Sequence, residues 1–300
     1  MLVWQGGSYG IVPTPFFDDE RLDLGSLARA VQFYLRGGAH GVVVLAVMGE
    51  GHKVLEAERA SVIRTAVEAA QGRSVIVGVT GAGTKLVSQR VEEAQSLGAS
   101  AVLAAPPQAL MDEAYLRHFA ALGEVGLPVV LQDHPESTGI QLSVATLVRI
   151  VREVQPVTAI KLEAPPTGAK IQAIRQHLDA RECLIFGGLG GLHLMDELMA
   201  GGDGTMTGFA FPDVLSEVVR LFHTGDRDGA ERLHEQNLPW LLHEATPQSS
   251  LAIRKEFLRL HGVLAGAALR APARSLDESA LRRTRVLFDR YMQLRQNVDG

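Results

Sequence analysis

The sequence predicts an α/β fold: a closed (β/α)8 TIM barrel with a C-terminal helical extension. Three observations carry that prediction. Short apolar runs alternate with longer amphipathic segments, eight such runs can be read along the chain, and each is continuously apolar instead of alternating. Continuous runs belong to parallel strands covered on both faces. Closing eight of them into a barrel leaves no edge strand to protect.

In chain order, strands are expected near 9–13 (YGIVP), 41–46 (GVVVLA), 74–79 (SVIVGV), 101–105 (AVLAA), 128–132 (PVVLQ), 157–161 (VTAIK), 183–187 (CLIFG) and 203–207 (DGTMT). Helical periodicity falls between them, near 24–37, 56–71, 84–97, 112–124, 142–154, 167–178 and 191–200, with Asp23, Thr84, Asp112 and Ser143 as capping candidates. From about 212 the chain reads as helical throughout, in "LSEVVRLF", "AERLHEQNLPWLLHE", "SLAIRKEFLRLHG" and "SALRRTRVLFDRYMQL". The expected organisation is a barrel over 1–223 and a helical subdomain over 224–300, with no low-complexity linker between them.

A chain of 300 residues with 46% hydrophobic content can bury a large core. Its net charge of -5 and lack of a basic block argue against nucleic acid or an anionic membrane as partner. The single cysteine, Cys183, cannot form an internal disulfide, and no Cys/His ligand set suggests a metal. The N-terminus lacks the basic start and apolar run of a secretion signal, and no run is long enough to span a bilayer. These features predict a cytoplasmic protein.

The stretch "TAIKLEA" ends the sixth strand in Lys161, a charged residue type that is rarely buried without a partner or a use. Barrel chemistry sits at the C-terminal ends of the strands, so Lys161 should reach the barrel mouth, in surroundings formed by Ile160, Val130, Phe186 and Met206. Desolvation there would bring an amine from about 10.4 toward neutrality and let it attack a ketone. The iminium formed from a 2-oxo acid stabilises a carbanion or enamine at the adjacent carbon. Such chemistry requires no metal or organic cofactor.

The other strand ends read "PTPFF", "AVMGEG", "APPQA", "LQDHPESTG", "GGLGG" and "TGFAFP". With Gly10, Thr14-Pro15-Phe16 and Asp23, Gly49-Glu50-Gly51 followed by Glu58-Arg59, Pro106-Pro107, Pro135 with Thr138-Gly139, Ile160-Lys161 and Gly201-Gly202-Asp203-Gly204, the chain resembles the dihydrodipicolinate synthase and N-acetylneuraminate lyase family over about 8–290. That resemblance implies a Schiff-base lysine at Lys161, a small-molecule 2-oxo acid such as pyruvate as substrate, and a homo-oligomer, dimer or tetramer.

The chain departs from this pattern where substrates bind. The Gly-Thr-Thr-Gly-Glu sequence of relatives becomes Ala46-Val47-Met48-Gly49-Glu50, leaving the backbone N–H groups of Val47 and Met48 to hold a carboxylate. The proton-shuttling tyrosine becomes Gln132, which is neither acid nor base. Gln108 lies near the place of a missing aromatic residue, and the substrate-gripping arginine falls at Ser137. Together these losses argue against the synthase reaction.

Glu163, two residues beyond Lys161 and on the same face, is a candidate proton carrier, with a solvated loop glutamate or an ion pair with Lys161 as the alternatives. His134 is a second candidate for proton transfer by its intrinsic pKa, although its strand parity is wrong for pointing inward and a loop histidine on the rim is the alternative. Gln132, Gly187, Gly188 and Thr207 are further candidate substrate contacts, the glycines permitting close approach of backbone. Asp133 is expected to serve a turn or cap a backbone N–H before Pro135, Glu50 to make a buried hydrogen bond with substrate contact as the alternative, Asp203 to shape the turn into the eighth strand, and His52 with Lys53 either to attract an acid or to form a solvated basic rim. The expected activity is a class I lyase using an imine on Lys161 for aldol cleavage, condensation or dehydration. Dihydrodipicolinate synthase proper and a non-catalytic 2-oxo acid binding protein are the alternatives.

Overall fold

A computed structural model describes residues 5–108 and 111–298. Ala109 at the end of the predicted fourth-strand stretch, and the expected outer limits at residues 1 and 300, lie outside that range. Among the described residues eight parallel strands close into a barrel, each paired to its sequence neighbours and the first to the last. They are β1 (Gly7–Ile11), β2 (Gly41–Val44), β3 (Ser74–Gly78), β4 (Ala101–Ala104), β5 (Val129–Asp133), β6 (Val157–Leu162), β7 (Leu184–Gly187) and β8 (Gly204–Thr207).

Helices α1 (Leu24–Arg36), α2 (Glu56–Ala70), α3 (Thr84–Ser96) and α4 (Asp112–Gly123) follow the first four strands. A single turn, α5 (Pro135–Thr138), precedes α6 (Val144–Glu153); α7 (Thr167–Arg175), α8 (Leu194–Met199) and α9 (Pro212–His223) complete the ring. The chain then adds α10 (Arg227–Glu244), α11 (Ser250–Leu260) and α12 (Glu278–Val298).

The eight strands and the closed barrel are as the sequence predicts, and the differences are local. β1 begins two residues early because Gly7 and Ser8 pair with Gly204 and Thr205 of β8. β2 stops at Val44, since Leu45 turns out of the strand at φ 58°. Asp23 and Ser143 cap their helices through the Ser26 and Thr146 N–H groups. Thr84 and Asp112 do not: each is the first helical residue, and each side chain bonds a neighbouring helix instead, Thr84 to His118 and Asp112 to Thr146. The C-terminal third is not helical throughout, because residues 261–277 form an irregular strap between α11 and α12 in which Ala268 bridges to Phe16.

Alternation along each strand separates two cores. Tyr9, Ile11, Val43, Ile76, Val130 and Phe186 fill the barrel interior, whereas residues of opposite parity pack under the helices. Burying one such side chain fully is worth about 1.5–3 kcal/mol, so the interior supplies a rigid floor for whatever stands at its mouth.

Candidate active site

β6 shows how the mouth is built. Ala159 points inward, Ile160 and Leu162 pack outward, and Lys161 and the following Glu163 return to the inner side. The expectation for Val130, Phe186 and Met206 beneath Lys161 therefore holds, whereas Ile160 belongs to the outer core because its parity is opposite. Lys161 is 2% exposed, and its Nζ lies 2.7 Å from Glu163 Oε2.

The same carboxylate oxygen accepts from Gln132 Nε2 at 2.8 Å, Gln132 being the register partner of Lys161 on β5. Glu163 Oε1 faces the Leu189 N–H at 3.4 Å. Burial pushes the Glu163 carboxyl up, but the Lys161 ammonium, His134 and the Gln132 amide outweigh it and hold the carboxyl below its ordinary range. An ammonium, a carboxylate and an amide thus form one closed group at the ends of β5 and β6.

The glycine loop after β7 makes room for that group. A Cβ on Gly188 would overlap the Glu163 side chain, so only glycine lets Glu163 take this position. Gly187 has the opposite parity and faces away from the mouth, against Glu197 of α8. Leu189 adopts φ 45° in the short 3-10 turn Leu189–Gly191, and the Gly190 N–H donates to Thr207 Oγ1 at 3.0 Å. The Thr207 hydroxyl braces this loop.

On the opposite rim, Val47 and Met48 open the 3-10 turn Val47–Gly49. The turn's own bonds start at the Gly49 and Glu50 N–H groups, so those of Val47 and Met48 remain available to an anion. The Met48 side chain packs against the interior core. His134 is half-buried at the start of α5, and its Nδ1 lies 2.6 Å from Ser137 Oγ.

Two readings of charged residues need correction. Asp133 serves no turn: it is buried, and Lys170 Nζ binds it at 2.6 Å while also reaching the Leu142 carbonyl. Lys53 is not a solvated rim cation, because Glu50 holds it at 2.9 Å. The same Glu50 carboxylate, fully buried, receives Lys255 Nζ at 2.6 Å and the Arg270 N–H at 3.2 Å, so the β2 loop is tied to α11 and the strap. Asp203 does shape the entry to β8, accepting from the Ile185 N–H at 2.6 Å and pairing with Arg175. Glu197 and Leu189 escaped sequence reasoning altogether, since one reads as an ordinary helix glutamate and the other as one loop leucine among glycines.

The closed barrel agrees with what the comparisons with known proteins return. The model of the dihydrodipicolinate synthetase family matches residues 5–289. The chain belongs to that family. It is 34% identical to L-2-keto-3-deoxyarabonate dehydratase of Azospirillum brasilense over 277 residues, which cover 89% of this chain and 88% of the relative. It is 31% identical to 4-hydroxy-tetrahydrodipicolinate synthase of Parabacteroides distasonis over 225 residues, covering 74% and 75% of the two chains. The crystal structure of dihydrodipicolinate synthase from Rhodopseudomonas palustris superposes with a TM-score of 0.89 at 34% identity, covering 95% of this chain and 97% of that one. That from Thermotoga maritima gives 0.88 at 26% identity, covering 95% and 98%. As a member of this family the protein is a lyase, the class its sequence predicts. Among the described residues, no helix is long and apolar enough to cross a membrane.

Proposed function

We propose that this family member is a Schiff-base lyase that dehydrates a 2-keto-3-deoxy sugar acid through an imine on Lys161. The observation that carries the reading is the inward-facing lysine in contact with a buried carboxylate at 2.7 Å. Glu163 takes the ammonium proton, and the free amine adds to C2 of the substrate. The protonated Glu163 returns that proton to the C2 oxygen, which leaves as water, so an iminium and the Glu163 carboxylate remain.

The substrate carboxylate lies on the Val47 and Met48 N–H groups. Electron withdrawal by the iminium acidifies C3. Removal of a C3 proton by Glu163 gives the enamine, whose electrons expel the C4 hydroxyl as the same carboxyl hands that proton to it, so water leaves and the carboxylate is restored. Hydrolysis of the resulting unsaturated imine returns the free lysine. Gln132 holds Glu163 throughout and carries no proton itself. His134, on the rim beside Ser137, takes a supporting part by orienting the hydroxylated tail.

Dehydration is favoured over the synthase reaction by the relative named for it and by Gln132 and Ser137 standing where the resemblance implies a tyrosine and an arginine. The test is intact mass after borohydride reduction, with pyruvate and with 2-keto-3-deoxy acids, in wild type and Lys161→Ala. An adduct confined to wild type supports the reading, and an adduct retained by the variant refutes it. Turnover of pyruvate with aspartate semialdehyde would restore the synthase alternative, and binding of 2-oxo acids without adduct or turnover would restore the binding-protein alternative. Assembly as a homo-oligomer belongs to the same proposal and is checked by sedimentation.

A further inference from the structure

Two carboxyl groups flank the Gly187–Gly188 segment from opposite sides. Glu163 lies against Gly188 on the inner side of the barrel, and Glu197 of α8 lies against Gly187 on the outer side, in both cases where a Cβ would overlap the carboxylate side chain. Glu163 has Lys161 and Gln132 as partners. Glu197 is fully buried, and neither of its oxygens meets hydrogen-bond geometry with any group. The hydroxyl of Thr205, the register neighbour of Gly187 on β8, is also buried without a partner.

A carboxylate so deeply buried, with no group placed to hydrogen-bond it well, is strongly disfavoured, so the proton stays on. Burial is the main cause, pushing Glu197 up to about 8; the Thr167 hydroxyl and Lys161 oppose this, and Glu163 and Asp196 reinforce it. The groups acting on Glu197 are thus Lys161 of β6 and Glu163 just past its end, Thr167 of α7 and Asp196 on its own helix. α10, which packs on α8, brings His234, already bound to the Gly191 carbonyl.

We propose that Glu197 is a positioning residue for the Lys161–Glu163 pair: held as the neutral acid, it confines the negative charge at the end of β7 to Glu163, and its ionisation silences the amine. The proposal rests on the reading of Lys161 as the imine-forming residue. A second anion one strand away stabilises the Lys161 ammonium and withholds the free amine. It also leaves an unpaired buried charge behind Gly187, so the turn that holds Glu163 must open to hydrate it. Without Glu197, imine chemistry should simply gain speed as rising pH frees more amine.

The measurement is exchange of the pyruvate methyl protons in D2O, followed by NMR from about pH 6.5 to about pH 9.5, for wild type, Glu197→Gln and Glu197→Met. Exchange requires imine and enamine formation and no knowledge of the natural substrate. The wild-type rate should level near pH 8 and fall at least about threefold over the next unit, since one ionisation changes a population up to tenfold per pH unit. The Gln variant should match wild type at neutral pH within about twofold and keep rising above pH 8. Should that variant fail to fold, the Met variant, apolar and of similar length, carries the same expectation.

The same alkaline fall in a folded variant overturns the proposal and leaves the Schiff-base reading intact. No exchange by either protein overturns both. A readout independent of catalysis is the infrared band of a protonated carboxyl, expected in wild type at pH 7 and missing from the Gln variant. Its absence from wild type overturns the role of Glu197 whatever the exchange shows.

Discussion

Lys161 of β6 and Glu163, one residue past its end, face the same side two residues apart, with Nζ 2.7 Å from Oε2, both almost wholly removed from solvent. A pair so arranged can move a proton without recruiting water. Replacing the carboxylate by its amide keeps the shape and removes the acceptor. Glu163→Gln should still accumulate a borohydride-trappable imine while turnover of a 2-keto-3-deoxy acid falls about 10²–10⁴-fold. Turnover within about tenfold of wild type would exclude Glu163 as the proton carrier.

Gly188→Ala tests the space that Glu163 occupies. The added methyl would meet the Glu163 side chain, so the carboxylate must leave Lys161 or the β7 loop must move. A displacement of about 1 Å near reacting atoms can cost about 10²-fold. Unchanged circular dichroism with a rate reduced on that scale is the expected result, and an unimpaired rate would show that Glu163 does not depend on this contact.

The two carboxyl groups should make stability respond to pH in opposite senses. Glu163 is lowered in the folded state, so its stabilising contribution is present above the ordinary carboxyl range and is lost as pH falls through the folded value. Glu197 is raised from 4.5 to about 8, so the folded state holds a proton that the unfolded chain releases. Its contribution therefore worsens as pH rises between those values and is worst above pH 8. Glu197→Gln should raise Tm little near pH 5 and progressively more toward pH 8. A Tm gain independent of pH would point to packing alone.

Lys255→Met tests the tie between the C-terminal strap and the β2 loop. Lys255 is fully buried, 2.6 Å from Glu50 and 4.8 Å from the centre of the Phe16 ring. Removing one partner of such a pair costs about 3–5 kcal/mol, read as a lowered urea midpoint. KM for the 2-oxo acid should rise as well, because Glu50 adjoins the Val47–Gly49 turn. A stability loss without any change in KM would separate the tie from substrate binding.

The barrel and its lysine were legible because both rest on periodicity. Continuous apolar runs such as "GVVVLA" mark parallel strands, and strand parity carried Glu163 to the same face as Lys161. What escaped depends on contacts between distant segments. Nothing near Asp133 announces Lys170, and nothing near Glu50 announces Lys255. Glu197 was the least readable, since its isolation comes from how α8 lies on β7. Residues 261–277 were also misread, since helix was expected throughout this third of the chain, whereas the segment is irregular and Ala268 bridges to Phe16.

The strap gives synthesis of the protein an order. Val47 and Met48 leave the ribosome early, whereas the groups that grip the adjoining Glu50 and Glu58, Lys255 and Arg270, emerge more than two hundred residues later. A nascent chain that has completed β8 already holds every strand and Lys161, yet its Val47–Gly49 turn lacks its brace. The last stretch of translation is then the step that ties down this side of the barrel mouth.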